Sequence, residues 1–155
     1  MKIVVATDGS RGGAAALKFA ARLAARNEST ELTIITVENP QLALQEGPPP
    51  GAPPRAAATK QEAHRRARRV LDEAAQKLRP YPVRARFHLV PSKRTPIPET
   101  ISREADRLKA DLVVIGSEGR DTLSEWVVGG VALRLIYVAR RPVAVVRPPR
   151  RRKTV

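Results

Sequence analysis

Residues Asp111–Pro148 read DLVVIGSEGRDTLSEWVVGGVALRLIYVARRPVAVVRP and contain the most informative pattern of the chain. An apolar run, Leu112–Ile115, stops at Gly116, and glycine returns at positions 119, 129 and 130. A helical pattern and a second apolar run, Val143–Val146, follow. Glycine lets a backbone approach a ligand closely, and the free N–H groups at the start of a helix can bind phosphate. The stretch therefore predicts a strand, a ligand-facing glycine loop, a helix and a final strand.

The rest of the chain alternates between strand-like and helix-like patterns. Short apolar and β-branched runs predict three further strands, at Lys2–Thr7, Glu31–Val37 and Pro82–Val90. Apolar residues at helical spacing predict helices at Ala14–Arg26 (with Ser10 as N-cap), Thr59–Arg79, Glu99–Lys109 and Val131–Ala139. This alternation with short connections predicts an α/β fold with a doubly wound, mostly parallel sheet.

Length and composition restrict the class of protein. The chain has 155 residues and no cysteine, which favours one domain and excludes disulfides and thiol chemistry. We expect that domain at residues 1–148, with a proline-rich loop at 39–58 and a disordered basic tail at 149–155. No apolar run approaches the roughly 18 residues of a membrane span. We therefore expect a cytoplasmic protein that does not enter the membrane.

The formal net charge of +14 favours anionic partners, either nucleic acid or nucleotide phosphate. An arginine-rich surface that reflects codon bias is an equally weighted alternative. In the second predicted helix, Arg65, Arg66, Arg68 and Arg69 fall mostly away from the apolar face, and acidic residues stand at i,i+4 spacing. We interpret these arginines as a solvated helix face rather than a nucleic-acid-binding surface.

A candidate site lies where the first and fourth strands end. Ligands of doubly wound sheets bind beyond the carboxyl ends of the strands, where the strand order reverses. If these two strands are neighbours, Asp8 and the loop from Gly116 face one crevice. A carboxylate there can accept hydrogen bonds from a ribose hydroxyl or an adenine amine, and the N–H groups near Gly130 can hold phosphates. The alternative, which spacing alone weights equally, is that Asp8 caps a turn and the glycines turn corners.

Three segments together resemble the universal stress proteins: KIVVATDGS at the start, DLVVIGSEG with the spacing Gly116-x2-Gly119-x9-Gly129, and RRPVAVVRPP. The resemblance extends from Lys2 to Pro148. It implies a Rossmann-like, adenine nucleotide alpha hydrolase-like fold of five strands and four helices, often dimeric through the last strand. It also implies a bound ATP or other adenine nucleotide, which Mg could accompany. The site residues that it implies are Thr7, Asp8, Val37, Gly116, Ser117, Gly119, Arg120, Gly129, Gly130 and Val131.

By this resemblance, Asp8 and Val37 lie at the base and ribose, and the glycines surround the phosphates. Three departures from the family pattern stand out. Gly130 replaces a serine or threonine, so a hydroxyl contact worth roughly 1.5–3 kcal/mol is missing. Glu118 lies between the loop glycines, where its charge would repel a triphosphate and Arg120 could offset it. Lys93 and Arg94 stand where the family usually has a glycine, either as phosphate contacts or, as we favour, as surface charge.

Other chemistry has little support in the sequence. His64 and His88 are isolated, and there is no Walker A motif and no serine–histidine–acid spacing. We predict neither catalytic nor metal-binding residues, and we interpret Trp126 as a core or dimer-contact residue.

The leading hypothesis is a homodimer that binds an adenine nucleotide and senses or signals stress, with slow ATP hydrolysis at most. The predicted dimer contact is the apolar strand Val143–Val146 at an exposed sheet edge. Two alternatives stay open: an interaction protein of the same fold whose pocket does not bind nucleotide, and a basic nucleic-acid-associated protein.

Overall fold

Strands and helices alternate along the part of the chain that the structure, a computed structural model, describes: residues 1–39, 60–92, 94–118 and 128–149. The elements are β1 (Lys2–Ala6), α1 (Arg11–Ala24), β2 (Glu31–Glu38), α2 (Lys60–Leu78), β3 (Arg84–Pro91), α3 (Ile97–Arg107), β4 (Leu112–Gly116), α4 (Gly130–Val138) and β5 (Val143–Val146). Every strand pairing is parallel, and the sheet order is β3-β2-β1-β4-β5. The predicted doubly wound, five-stranded sheet is confirmed. The proline-rich loop from residue 40 and the tail from residue 150 lie outside the described residues.

Helices cover both faces of the sheet, because successive strand side chains point to opposite sides. Val5, Ile34 and Val114 pack with α1 and α2. Val4 and Ile35 belong to the other face, where α3 and α4 pack. The strands at the centre are therefore apolar on both sides, as the buried strands of parallel sheets are. Within the described ranges, no helix has the length and apolar character to cross a membrane.

Three helices begin earlier than their patterns predict, α4 by one residue, at Gly130 rather than Val131. The first starts at Arg11 rather than Ala14, because the hydroxyl of Ser10 caps it by accepting the Gly13 N–H at 3.1 Å. The third starts at Ile97 rather than Glu99. Pro98 is tolerated in this first turn because a backbone N–H there would have no intrahelical partner. The strand predicted from Pro82 begins at Arg84 instead, since proline cannot donate to a strand pairing.

Candidate ligand-binding crevice

A crevice opens at the carboxyl ends of β1 and β4. The strand β1 pairs with β2 on one side and with β4 on the other, so the strand order reverses between β1 and β4. The connections after these strands therefore leave towards opposite faces of the sheet. A cavity of about 230 Å³ occupies this position, bordered by the strand ends, by α2 and α3, and by the first turn of α4.

Eight of the ten predicted site residues line this one cavity. They are Thr7, Asp8, Val37, Gly116, Ser117, Gly129, Gly130 and Val131. The other two, Gly119 and Arg120, lie outside the described residues. Glu118, which the sequence marked as a departure from the family pattern, also lines the cavity.

Close glycine contacts hold the start of α1 against the strand ends. A Cβ on Gly13 would lie 2.4 Å from the Thr7 hydroxyl oxygen, and one on Gly12 would lie 2.0 Å from the Glu118 carbonyl oxygen. The Ser10 hydroxyl donates to the same Glu118 oxygen at 3.2 Å. Neither glycine was among the predicted site residues. Their position shortly after the end of β1 is the sequence signal for a close backbone approach.

The first turn of α4 presents backbone N–H groups at the cavity. Its N-cap is Gly129, which supplies no side-chain cap, and the turn from Gly130 to Ala132 lines the cavity. The first N–H groups of a helix have no intrahelical acceptor, and they carry the positive end of the helix dipole. A Cβ on Gly130 would meet nothing within 4 Å. This end of the cavity has the donors and the space for an anionic group.

Asp8 caps a turn and also borders the cavity, so the two interpretations of this residue are compatible. One carboxylate oxygen, Oδ1, accepts the Ser10 N–H at 2.9 Å. An ionised carboxylate has about four acceptor positions, so Asp8 can accept hydrogen bonds from several groups at once. Gly9 follows with a φ of 80°, a conformation that favours glycine. The turn residues Asp8-Gly9 thus fix the carboxylate beside the cavity.

The apolar walls come from residues that sequence reasoning assigned to the core or did not assign to a site. The cavity-lining residues of α2 and α3 are Ala63, Arg66, Ala67, Val70, Ile97 and Ile101.

The prediction of a solvated arginine face needs one correction. Arg66 is half-buried and lines the cavity, because it stands between two buried alanines of the inner face, whereas its neighbour Arg65 is exposed.

Three other candidates from the sequence, His64, His88 and Arg94, are not part of the cavity lining. The Nδ1 atom of His64 is 3.4 Å from the buried Glu38 carboxylate, and that of His88 is 3.6 Å from Glu104. Within the described ranges no three His, Asp or Glu side chains form a group that could hold a metal. Arg94 is exposed and does not line the cavity. Lys93 and Trp126 lie outside the described residues.

Comparison with known proteins gives consistent matches over nearly the whole chain. A sequence model of the universal stress protein family matches residues 1–147. The universal stress protein from Archaeoglobus fulgidus in complex with dAMP is 26% identical, with a TM-score of 0.68 over 94% of this chain and 97% of that chain. A universal stress protein family member from Burkholderia pseudomallei is 27% identical, with a TM-score of 0.63 over 96% of both chains.

A more distant structure shares the fold. It is a universal stress protein family protein from Arabidopsis thaliana with AMP bound, 14% identical, with a TM-score of 0.65 over 96% of this chain and 92% of that chain. No curated protein sequence matches the chain.

Proposed function

The chain belongs to the universal stress protein family, and on that premise we propose that it binds an adenine nucleotide in the crevice between β1 and β4. The observation that carries the proposal is the first turn of α4. It has no side-chain cap, it has open space at Gly130, and it borders the same cavity as Asp8. These features fit a ligand with a phosphate at one end and hydrogen-bonding groups at the other.

The lining supports one orientation of the nucleotide. The phosphate lies at Gly129 and Gly130, and the loop residues Gly119 and Arg120 belong to the proposed phosphate site as well. The base and ribose lie towards Asp8 and Val37, between the apolar walls of α2 and α3. The proteins with dAMP and AMP bound support the choice of adenine. For this ligand we propose a role in sensing or signalling stress rather than in substrate turnover.

We also propose a homodimer through β5 and α4. The strand β5 is at the edge of the sheet, and its side chains are only half-buried. Beside it, α4 exposes Leu133, Ile136 and Tyr137 at 47%, 51% and 81% of their surface. The spacing of these three residues puts them on one stripe of the helix. An unpaired sheet edge next to an apolar patch is the kind of surface that pairs with a second chain.

The nucleotide proposal is tested by calorimetric titration of the purified protein with AMP and ATP, in the wild type and two matched variants. In Asp8→Asn, the amide oxygen can still accept the Ser10 N–H, but the carboxylate charge is lost. We expect affinity to fall tenfold or more, as when a hydrogen bond to a charged group is weakened. Asp111→Asn is the control, since its carboxylate also accepts a backbone N–H, that of Lys2 at 2.7 Å, but at the opposite end of the strands.

No binding of either nucleotide to the wild type would contradict the proposal and would favour the interaction protein with a pocket that does not bind nucleotide. Equal losses of nucleotide affinity in Asp8→Asn and Asp111→Asn would show that the Asp8 carboxylate does not contact the ligand.

A further inference from the structure

Three of the described residues that line the cavity are charged. Asp8 and Glu118 are anionic, and Arg66 is cationic. We propose that Arg66 and Glu118 set the number of phosphates on the ligand, so that the site selects a nucleoside monophosphate over a triphosphate. This inference rests on the proposed function and adds to it a ligand class and two specificity-determining residues.

Arg66 is distinguished by its position in a helix that is rich in arginine. Arg65, Arg68 and Arg69 are exposed, whereas Arg66 is half-buried and lines the cavity between Ala63 and Ala67. Arg66 already interacts with another group of the protein. A guanidinium has five N–H donors, so it can also bind a phosphate, and its planar fork matches phosphate geometry. The position of Arg66 thus provides a cation for one anionic group.

The packing of α1 holds the backbone of Glu118 beside the cavity. Its carbonyl oxygen accepts the Ser10 hydroxyl at 3.2 Å and sits where Gly12 leaves no room for a side chain. The residue is half-buried, and charges at such positions are screened by salt less than charges in open solvent. Its carboxylate therefore disfavours each negative charge that is added to the ligand.

The charges at the phosphate end of the cavity favour a small anion. The N-terminus of α4 contributes about half a positive charge, which together with Arg66 offsets a first phosphate. Glu118 lies next to this turn, because the carbonyl oxygen of its neighbour Ser117 accepts the Gly129 N–H at 2.7 Å. Further phosphates therefore meet the carboxylate of Glu118. A monophosphate suits this arrangement of charges better than a triphosphate does.

The test is a set of calorimetric titrations with adenosine, AMP and ATP in buffer that contains EDTA, so that no metal neutralises the phosphates. We expect the wild type to bind AMP at least tenfold more tightly than ATP, a difference of about 1.4 kcal/mol. Glu118→Gln should raise the affinity for ATP about tenfold and that for AMP much less. Arg66→Gln should lower the affinity for AMP about tenfold relative to adenosine. Arg65→Gln, which removes an exposed charge from the same helix, should change none of these ratios.

Thermal melting establishes that each variant is folded. A further variant, Arg66→Lys, keeps the positive charge and should retain most of the preference for AMP over adenosine. The inference is overturned if the wild type binds ATP as tightly as AMP, or if Glu118→Gln strengthens both equally. It is also overturned if Arg66→Gln leaves the ratio of AMP to adenosine affinity unchanged. A wild type that binds none of the three compounds contradicts the proposed function itself, whereas binding without these preferences contradicts only the present inference.

Discussion

Gly116, the last residue of β4, contacts Gly12 in the first turn of α1 so closely that neither position has room for a side chain. A Cβ on Gly116 would lie 2.2 Å from the carbonyl carbon of Gly12, and a Cβ on Gly12 would lie 2.0 Å from the Glu118 carbonyl oxygen. This contact joins the helix that Ser10 caps to the loop that follows β4. The cavity lies beside this contact, since Asp8, which precedes α1, and Glu118, which follows β4, both line it.

The first prediction follows from that contact. Gly116→Ala should lower the free energy of unfolding by about 1–3 kcal/mol or more, because the added methyl group overpacks a backbone contact that cannot yield. Urea denaturation measures the change. Gly130→Ala is the matched control: its methyl group enters open space and alanine favours a helix over glycine, so we expect no loss. Equal destabilisation by the two alanines would refute the account of the contact.

The second prediction concerns the hydroxyl that the family has and this chain lacks. Gly130→Ser places a hydroxyl in the first turn of α4, where a side chain meets no obstacle. A hydrogen bond to a phosphate contributes roughly 1.5–3 kcal/mol, so the affinity for AMP should rise tenfold or more. Calorimetry compares the serine variant with Gly130→Ala, which adds the carbon without the oxygen. If both variants bind AMP as the wild type does, no phosphate lies at this turn.

The third prediction is a pH dependence of stability that arises far from the cavity. Arg107 donates to both oxygens of Glu104, at 2.8 and 2.5 Å. These hydrogen bonds hold the pKa of the Glu104 carboxyl below its ordinary value of 4.5, against the opposing effect of burial. Because the pKa is lower in the folded state, the pair stabilises the protein above that ordinary value, and the stabilisation is lost as the pH falls through the folded-state pKa.

Thermal melting between neutral pH and pH 3 should therefore show a small loss of stability, as expected for an ion pair with an exposed arginine, and Glu104→Gln should remove that loss. Glu28→Gln, which neutralises an exposed glutamate after α1, should keep the wild-type profile. Parallel acid profiles for the wild type and Glu104→Gln would contradict the assignment.

The fourth prediction concerns the homodimer. Light scattering should give the wild type a mass of twice the 17.0 kDa chain. Leu133→Asp, which places a charge on the exposed α4 stripe, should dissociate the pair. Phe19→Asp is the control, because Phe19 is similarly exposed, at 43%, but belongs to α1. A wild-type mass of one chain would refute the dimer, and dissociation by Phe19→Asp alone would place the interface elsewhere.

The sequence was sufficient to predict the fold and much of the candidate site. The alternation of patterns predicted the parallel sheet, and the ends of β1 and β4 had to meet once those strands were neighbours, which placed Asp8 beside the glycine loop. Arg66 could not be predicted in the same way. Helical periodicity gives the face on which a residue lies, but where a boundary residue ends up depends on how α2 packs over β2.

The glycines of α1 show a second limit. Helix propensity counts Gly12 and Gly13 as unfavourable. The contacts that require them are with Thr7, just after β1, and with Glu118, which is distant in sequence. Arg94 is a further case: its φ of 73° lies in a region that favours glycine, and the family usually has a glycine before the third helix. No local pattern in the sequence predicts that Arg94 has a positive φ.

The central claim, that an adenine nucleotide occupies the crevice, is tested most directly by following the backbone amide signals of the isotope-labelled protein by NMR during titration with AMP. We predict saturable shifts at Asp8, Val37, Gly129 and Gly130, which border the cavity, and no comparable shift at Phe19 on the outer surface of α1. Signals that do not move, or that move only at exposed arginines such as Arg65 and Arg69, would contradict the claim.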